Sequence, residues 1–195
     1  MRSKGRSHRT AEFFSHLFNP SGVALGVFGL LAWQGYSTWL PALVGMVCFA
    51  FFPGLILVSM LKKGRIDQLY PSQRQQRSGL LLLGAGCYFL GSGALWLVGA
   101  KIFIVAAGLV FATSALLVWW VNRYWKISIH SVGVSGGVAV LLIMMGIEAW
   151  IWTLTLPLIA WARWHLRAHS PAQIAAGFLL GGGAAWGLYH FVGAP

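Results

Sequence analysis

The chain has 195 residues, of which 14 are Lys or Arg and only 3 are Asp or Glu, so its formal net charge is +11. Hydrophobic residues make up 58% and charged residues 9%, whereas soluble domains carry about 25% charged residues. This composition excludes a soluble globule and indicates an integral membrane protein, and its three acids (Glu12, Asp67 and Glu148) are too few for paired-carboxylate glycosidase chemistry or a carboxylate-rich Mg²⁺ or Ca²⁺ site.

Residues 1–20 form a basic tail that we predict to be amphipathic. No small-residue cleavage site follows it, which favours a retained anchor over a cleaved signal peptide. Strong basicity in a soluble protein would suggest nucleic acid. Here the basic residues interrupt apolar segments, so membrane lipids with anionic headgroups are the expected partners and nucleic acid is not.

Residues 21–195 are predicted to form a single transmembrane domain, an all-α polytopic membrane helix bundle of six to seven transmembrane helices. A crossing needs about 20 mostly apolar residues. Residues 127–162 are too many for one untilted helix, so we expect two short helices that break at residues 146–148; the count is six if the first segment only lies in the interface. The predicted segments are 21–37, 40–61 (with a kink at Pro53-Gly54), 79–98, 102–121, 127–162 and 171–192.

The basic residues are distributed unevenly along the chain. Thirteen of the 14 fall in the N-terminal tail or in residues 62–77, 123–126 and 163–167, and only Lys101 lies elsewhere. With seven crossings, these four regions share one side of the membrane. Basic residues favour the cytoplasmic side, so the loops are predicted to be cytoplasmic.

Three polar loops, at about 62–78, 122–130 and 162–173, hold nearly all the side chains suited to chemistry. Plainer interpretations exist for each: the basic residues can contact lipid headgroups, and Ser128 can cap a helix. His165 and His169 are spaced for one helical face, but no Cys or acid lies near them in sequence, so no metal site is predicted. The candidate residues are Asp67, Arg74 and Arg77, then Lys126, Ser128 and His130, and finally Arg163, Arg167, His169 and Gln173.

The third loop points most directly to an anion. Ser170-Pro171 is typical of a helix N-cap followed by proline at the first helical position, and Gln173 has the spacing of a capping box. His169 would then stand just before a helix N-terminus, where free N–H groups and the helix dipole favour anions. With Arg163 and Arg167 nearby, this region is arranged to meet a phosphate.

The three loops together resemble the type 2 phosphatidic acid phosphatase superfamily of membrane lipid phosphatases, over about residues 62–183. That family has Lys, six residues and Arg-Pro; then Pro-Ser-Gly-His; then Ser-Arg, five residues, His, three residues and Asp. The third motif corresponds to Ala162-Arg163, His169 and Gln173, and the second to Lys126-Ile-Ser-Ile-His130. The first is looser, with six residues between Asp67 and Arg74, or with Arg77-Ser78 as an alternative register. The chain also resembles a compact divergent bacterial branch in which the middle motif looks like Trp-Lys-Ile-Ser-x-His and the last like His-(Thr/Ser)-Pro-x-Gln, as at residues 125–130 and 169–173. This resemblance implies a bacterial inner membrane.

The resemblance implies a metal-independent phosphatase of lipid or polyprenyl phosphates or diphosphates that needs no cofactor. His169 would be the nucleophile that forms a phosphohistidine, and His130 would protonate the leaving oxygen. Gln173 would orient His169. The phosphate-binding set would comprise Arg74, Arg77, Ser128 with its neighbouring backbone N–H groups, Arg163 and Asp67. Guanidinium groups suit phosphate, and phosphoryl transfer depends mainly on positioning and charge stabilisation.

Four positions depart from the family pattern. Gln173 replaces an orienting Asp, Asp67 replaces a phosphate-binding Lys, Ile129 replaces Gly, and Ala162 replaces Ser. The alternative hypothesis is therefore a non-catalytic membrane subunit or lipid-binding scaffold that retains a degenerate phosphate pocket. A small transporter is disfavoured because ionisable residues at membrane depth are scarce. The particular lipid and the oligomeric state stay open.

Overall fold

The computed structural model describes residues 5–66 and 74–193, and only the backbone of residues 74–76. Every regular element in this part of the chain is helical, which confirms the all-α class. The elements are α1 (Arg6–Leu17), α2 (Pro20–Trp33), α3 (Trp39–Met46), a π-helical turn (Val47–Phe51), α4 (Phe52–Lys62), α5 (Arg74–Leu97), α6 (Ile102–Asn122), α7 (Ile129–Met145), a 3₁₀ segment (Gly146–Leu154), α8 (Thr155–His165) and α9 (Pro171–Val192).

Within residues 5–66 and 74–193, four helical stretches are long and apolar enough to cross a membrane: Trp39–Lys62, Arg77–Leu97, Ile102–Asn122 and Ile129–His165. A fifth is obtained if α1 and α2, which meet at 57°, count as one bent span. The protein is thus a helical membrane protein, and its described residues contain four to five candidate spans by length and composition. The prediction of six to seven is not confirmed. α2 has only 14 residues, α7 and α8 belong to one stretch, and α9, which covers the predicted segment 171–192, is not among the candidate spans.

The predicted kink in the second apolar segment takes the form of a π-helical turn. This turn immediately precedes Phe52-Pro53, and the Phe52 N–H bonds to the carbonyl of Val47. Proline lacks the N–H that a regular helix needs and crowds the preceding turn, and a single π turn can absorb such a local mismatch. α3 and α4 therefore continue as one 24-residue helix.

α7 and α8 are joined by a turn near the predicted break. α7 ends at Met145 and is capped by Gly146, whose φ of 64° is in the left-handed region that glycine tolerates. The 3₁₀ segment follows, and α8 returns along α7, since Val134 and Val138 share one buried cluster with Ile159 and Ala162. The start of α7 and the end of α8 consequently lie at the same end of the bundle.

Close contact between α7 and α9 aligns their N-terminal ends. A Cβ added at Gly177 would lie 2.8 Å from the carbonyl oxygen of Ser128, and one added at Gly181 would overlap the carbonyl of Val132. The absence of side chains at these two positions, one helical turn apart, lets the helix backbones approach closely. The loop before α9 is thereby held beside the first turn of α7.

α1 lies at this same end and leads into α2 through a short capped turn. The Gly22 N–H donates to Asn19 Oδ1 at 2.7 Å, and Pro20 takes the first helical position. α1 buries Ala11 and Ser15, which are four residues apart on one face, and Ala11 packs in the cluster that contains Ile159 of α8. The predicted N-terminal tail is thus mostly a helix docked on the bundle.

Candidate functional site

A cavity of about 630 Å³ opens at the end of the bundle where α1 and α8 end and where α5 and α7 begin. It brings the second and third predicted loops together with Arg77 of the first. A volume in this range can enclose a substantial part of a drug-sized ligand. The basic and histidine side chains on its wall are His16, Arg77, Lys126, His130, Arg163, Arg167 and His169.

His169 is the last residue before the N-cap of α9 and is 7% exposed. Its Nδ1 atom lies 3.2 Å from Gln173 Oε1, which also accepts the Ser170 N–H at 3.2 Å. The Gln173 N–H donates in return to Ser170 Oγ at 3.3 Å, so the predicted capping box is confirmed. An oxygen acceptor at Nδ1 favours the tautomer with the proton on Nδ1, which leaves the lone pair on Nε2.

The surroundings of His169 keep its imidazole neutral. Burial lowers the pKa of His169 from 6.5 to about 3, and the charges of Arg163 and Lys126 act in the same direction. The hydrogen bond to Gln173 opposes this change. A neutral imidazole retains its lone pair, which a nucleophile requires.

His130 lies in the first turn of α7 and Arg163 in the last turn of α8, at the same end of the bundle. They are 1% and 9% exposed, respectively. Arg163 Nη1 donates to Ser15 Oγ at 2.7 Å, although the two residues are 148 apart in sequence. The ring of His130 also interacts with the backbone of Ser15. The hydroxyl that accepts from Arg163 therefore comes from α1.

Two further cations join the loops through backbone carbonyls. Arg77 Nη2 donates to the carbonyl of Ile127 at 3.1 Å, and Lys126 Nζ donates to the carbonyl of Ala168 at 3.1 Å. Burial lowers the pKa of Lys126, and the charges of Arg77 and Arg163 lower it further. These cations therefore lie close together, an arrangement that an anion in the cavity would stabilise.

Arg167 lines the same cavity in an unusual backbone conformation. Its φ is 51°, and among the described residues it is the one non-glycine residue with positive φ. α8 ends in a Schellman motif, because the Arg167 N–H bonds to the Trp164 carbonyl and the Ala168 N–H to the Arg163 carbonyl. Glycine usually occupies this position. Here the chain places an exposed guanidinium at the cavity instead.

Ser128 acts in the structure as a helix cap. Its Oγ accepts the Ser131 N–H at 3.3 Å and the Ser131 hydroxyl at 2.9 Å, and its own N–H donates to the Gln173 carbonyl at 3.4 Å. Its side chain is fully buried and is not on the cavity wall. Two other candidates cannot be located in this way: Asp67 lies outside the described residues, and Arg74 begins α5 without a described side chain.

Sequence reasoning missed the contribution of α1. Ser15 and His16 lie in a basic tail that has no motif, and no spacing rule connects them to a loop about 150 residues away. One usable signal was the amphipathic pattern of residues 6–17, which predicts a helix with a face to bury. Which partner that face meets depends on the tertiary structure.

The other half of the cavity is apolar. It continues from the polar end between α4, α5 and α6, and aliphatic and aromatic side chains line it. An amphipathic molecule with an anionic head and a hydrocarbon tail matches this division. The apolar wall includes Ile56, Leu57, Leu80, Leu81, Leu83, Phe111, Ala115 and Val118.

Among residues 5–66 and 74–193, no three His, Cys, Asp or Glu side chains are grouped so that they could hold a metal ion. No protein-family model matches the chain, and neither a curated protein nor a solved structure is similar to it. The cavity and its side chains thus carry the functional argument.

Proposed function

We propose that this protein is a metal-independent phosphatase of lipid or polyprenyl phosphates or diphosphates that acts through a phosphohistidine. One observation carries the proposal. A buried His169, with Nδ1 directed to an oxygen acceptor, shares a cavity with a second buried histidine and with four Lys or Arg side chains. Nucleophile, proton donor and phosphate-binding cations are thus gathered at the polar end of an amphipathic cavity.

In the first step, His169 Nε2 attacks phosphorus and the bond from phosphorus to the lipid oxygen breaks. His130 donates its proton to the leaving oxygen, which departs as a lipid alcohol, or as a lipid monophosphate when the substrate is a diphosphate. Arg163 and Arg77 offset the charge on the phosphoryl oxygens. Such charge stabilisation supplies much of the catalysis in phosphoryl transfer.

In the second step, water attacks the phosphohistidine and the N–P bond breaks, which restores neutral His169. His130, now deprotonated, accepts a proton from the attacking water and is ready for the next cycle. The products are inorganic phosphate and the dephosphorylated lipid. One histidine can serve in both directions because an imidazole that has given up its proton as a general acid can then act as a general base.

The apolar half of the cavity supports a lipid substrate over a small soluble phosphate ester. A tail of this kind would lie between α4 and α5, whose residues on the cavity wall are mainly apolar. Burial of each methylene group contributes about 0.8 kcal/mol. The tail would therefore supply much of the affinity, and the cations would orient the head.

We further propose six to seven crossings with the cavity facing the cytoplasm of a bacterial inner membrane. The return of α8 along α7 supports two crossings in the stretch Ile129–His165, and α9 has the length of another with 22 residues. Thirteen of the 14 basic residues belong to the predicted cytoplasmic regions. A reporter fused after Pro195 should then be active outside the cytoplasm if the crossings number seven.

The alternative function is a non-catalytic lipid-phosphate-binding subunit. The specific observation in its favour is Gln173, whose neutral oxygen is shared between His169 and the Ser170 N–H. A neutral amide stabilises a developing imidazolium less than a carboxylate does. A phosphate could then bind without being cleaved.

The deciding experiment is phosphate release by purified protein in detergent with a chelator present. The substrates are phosphatidic acid, phosphatidylglycerol phosphate and polyprenyl diphosphate, and His169→Ala is compared with the unchanged protein. We expect chelator-resistant release that the variant lacks. Full activity in His169→Ala would refute the nucleophile, whereas inactivity on every substrate together with retained lipid-phosphate binding would favour the binding subunit.

A further inference from the structure

α1 reaches the site through one face. Ala11 and Ser15 are buried on that face, and the next residue, His16, lies on the cavity wall. The opposite face is exposed and carries Arg9 and Phe13. α1 is therefore a wall of the cavity as well as an amphipathic surface helix.

The contact between Ser15 and Arg163 joins α1 to a cation of the cavity. The distance from Nη1 to Oγ is 2.7 Å, the Ser15 side chain is 4% exposed, and Arg163 is 9% exposed. A guanidinium is planar, so fixing one of its nitrogen atoms restricts the directions of the others. The remaining N–H groups keep a restricted orientation relative to the cavity that Arg163 lines.

We propose that Ser15 is a positioning residue that holds the Arg163 guanidinium for the phosphoryl group, which makes α1 part of the site. This inference rests on the proposed phosphatase function. Preorganised donors stabilise a transition state because they need no reorientation when charge develops. Loss of the Ser15 hydroxyl should consequently slow turnover more than it weakens lipid binding, which also depends on the tail.

The test compares Ser15→Ala with Thr10→Ala, each of which removes one hydroxyl from α1. The Thr10 hydroxyl donates to the carbonyl of Arg6 within α1 and Thr10 is exposed, so it is a matched control. For a lipid phosphate, we expect kcat to fall about 10- to 100-fold in Ser15→Ala, with KM within about 3-fold and an unchanged melting temperature. Thr10→Ala should match the unchanged protein in kcat, KM and melting temperature. Equal kcat in the two variants would overturn the proposal.

A double-mutant cycle identifies the path of the effect. If Ser15 acts through Arg163, then Ser15→Ala should have little further effect on kcat in an Arg163→Lys background, because the planar group to be positioned is gone. An undiminished fall in that background would exclude the proposed path.

A binding measurement separates this inference from the phosphatase function. Inorganic phosphate is titrated calorimetrically into the full-length protein and both single variants. We expect a loss of affinity of about 3- to 10-fold in Ser15→Ala and none in Thr10→Ala. If the unchanged protein hydrolyses no lipid phosphate, the phosphatase function fails, yet this difference would still support the positioning role. Equal phosphate affinities in all three proteins would contradict it.

Discussion

His169 Nδ1 and Gln173 Oε1 lie 3.2 Å apart. Gln173, which completes the capping box of α9, therefore also contacts the imidazole at the cavity. The same amide oxygen accepts the Ser170 N–H. One side chain thus has a structural role at the helix terminus and, in the proposed function, an orienting role at the site. These two roles can be separated experimentally.

Replacement of Gln173 by Leu removes both roles. We expect kcat for lipid phosphate to fall at least about 10-fold, because His169 loses the acceptor that selects its tautomer, and stability to fall by about 1 kcal/mol from loss of the cap. Ser170→Ala is the control, since it removes the cap oxygen but keeps the His169 contact. Gln173→Glu should raise kcat, because a carboxylate supports a developing imidazolium. Steady-state kinetics and thermal unfolding measure these effects, and equal activity in the Leu variant and the unchanged protein would rule out the orienting role.

The lowered pKa of His169 predicts a dependence of stability on pH. The folded protein takes up a proton on His169 only near pH 3, whereas the unfolded chain does so near 6.5. Folding therefore favours the neutral form of His169. The resulting contribution to the free energy of unfolding is fully present above about pH 6.5 and is lost as the pH falls toward 3. Arg163, Lys126 and Arg77 face the group and add to the effect of burial.

His169→Gln should reduce the loss of melting temperature between pH 7 and pH 4. Thermal unfolding in detergent at several pH values gives the slope of melting temperature against pH. The exposed His190 of α9 supplies a matched variant, His190→Gln, for which we expect the unchanged slope. Identical slopes in all three proteins would mean that His169 is not held neutral by folding.

Arg167 predicts a conflict between stability and function. Its φ of 51° disfavours any side chain with a Cβ, so Arg167→Gly should raise the free energy of unfolding by about 0.5–1 kcal/mol. The same change removes a cation from the cavity wall and should lower kcat/KM for a lipid phosphate severalfold. Arg167→Lys keeps charge and strain, and it should resemble the unchanged protein in stability. A Gly variant that is less stable would show that the strain is not relieved as expected.

Gly181 predicts a packing effect on the site. An added methyl group would overlap the Val132 carbonyl on α7, so Gly181→Ala should force α7 and α9 apart and lower stability by about 1–3 kcal/mol. Gly182 has open space at its Cβ position, so Gly182→Ala should be neutral or stabilising through helix propensity. Melting temperatures and activities of the two variants test this, and a tolerated Gly181→Ala would exclude tight contact at this position.

Much of the local structure could be predicted from sequence because it depends on neighbouring residues. The break after α7 follows because the apolar stretch is too long for one untilted helix and contains Gly146. The α9 cap follows from Ser170, Pro171 and Gln173 at fixed spacing. The nearness of Arg163 and His169 was expected from their spacing in one loop, and the common membrane side of the loops from the distribution of basic residues. That His130 joins them in one site was expected through the family resemblance. Ser128 was expected both as a phosphate-binding residue and as a cap, and the structure has it as a cap.

Composition and local spacing determined the membrane character, the helical class and the helix ends, because burial in lipid and capping act over a few residues of chain. The tertiary structure decided which side chains share a cavity. Contacts such as Ser15 with Arg163 and Lys126 with Ala168 join segments 148 and 42 residues apart, and no periodicity connects positions so distant. They arise because close backbone contact at Gly177 and Gly181 and the return of α8 along α7 bring helix ends together. The +11 charge begins as a sequence property, and in the fold part of it becomes a group of cations around one cavity.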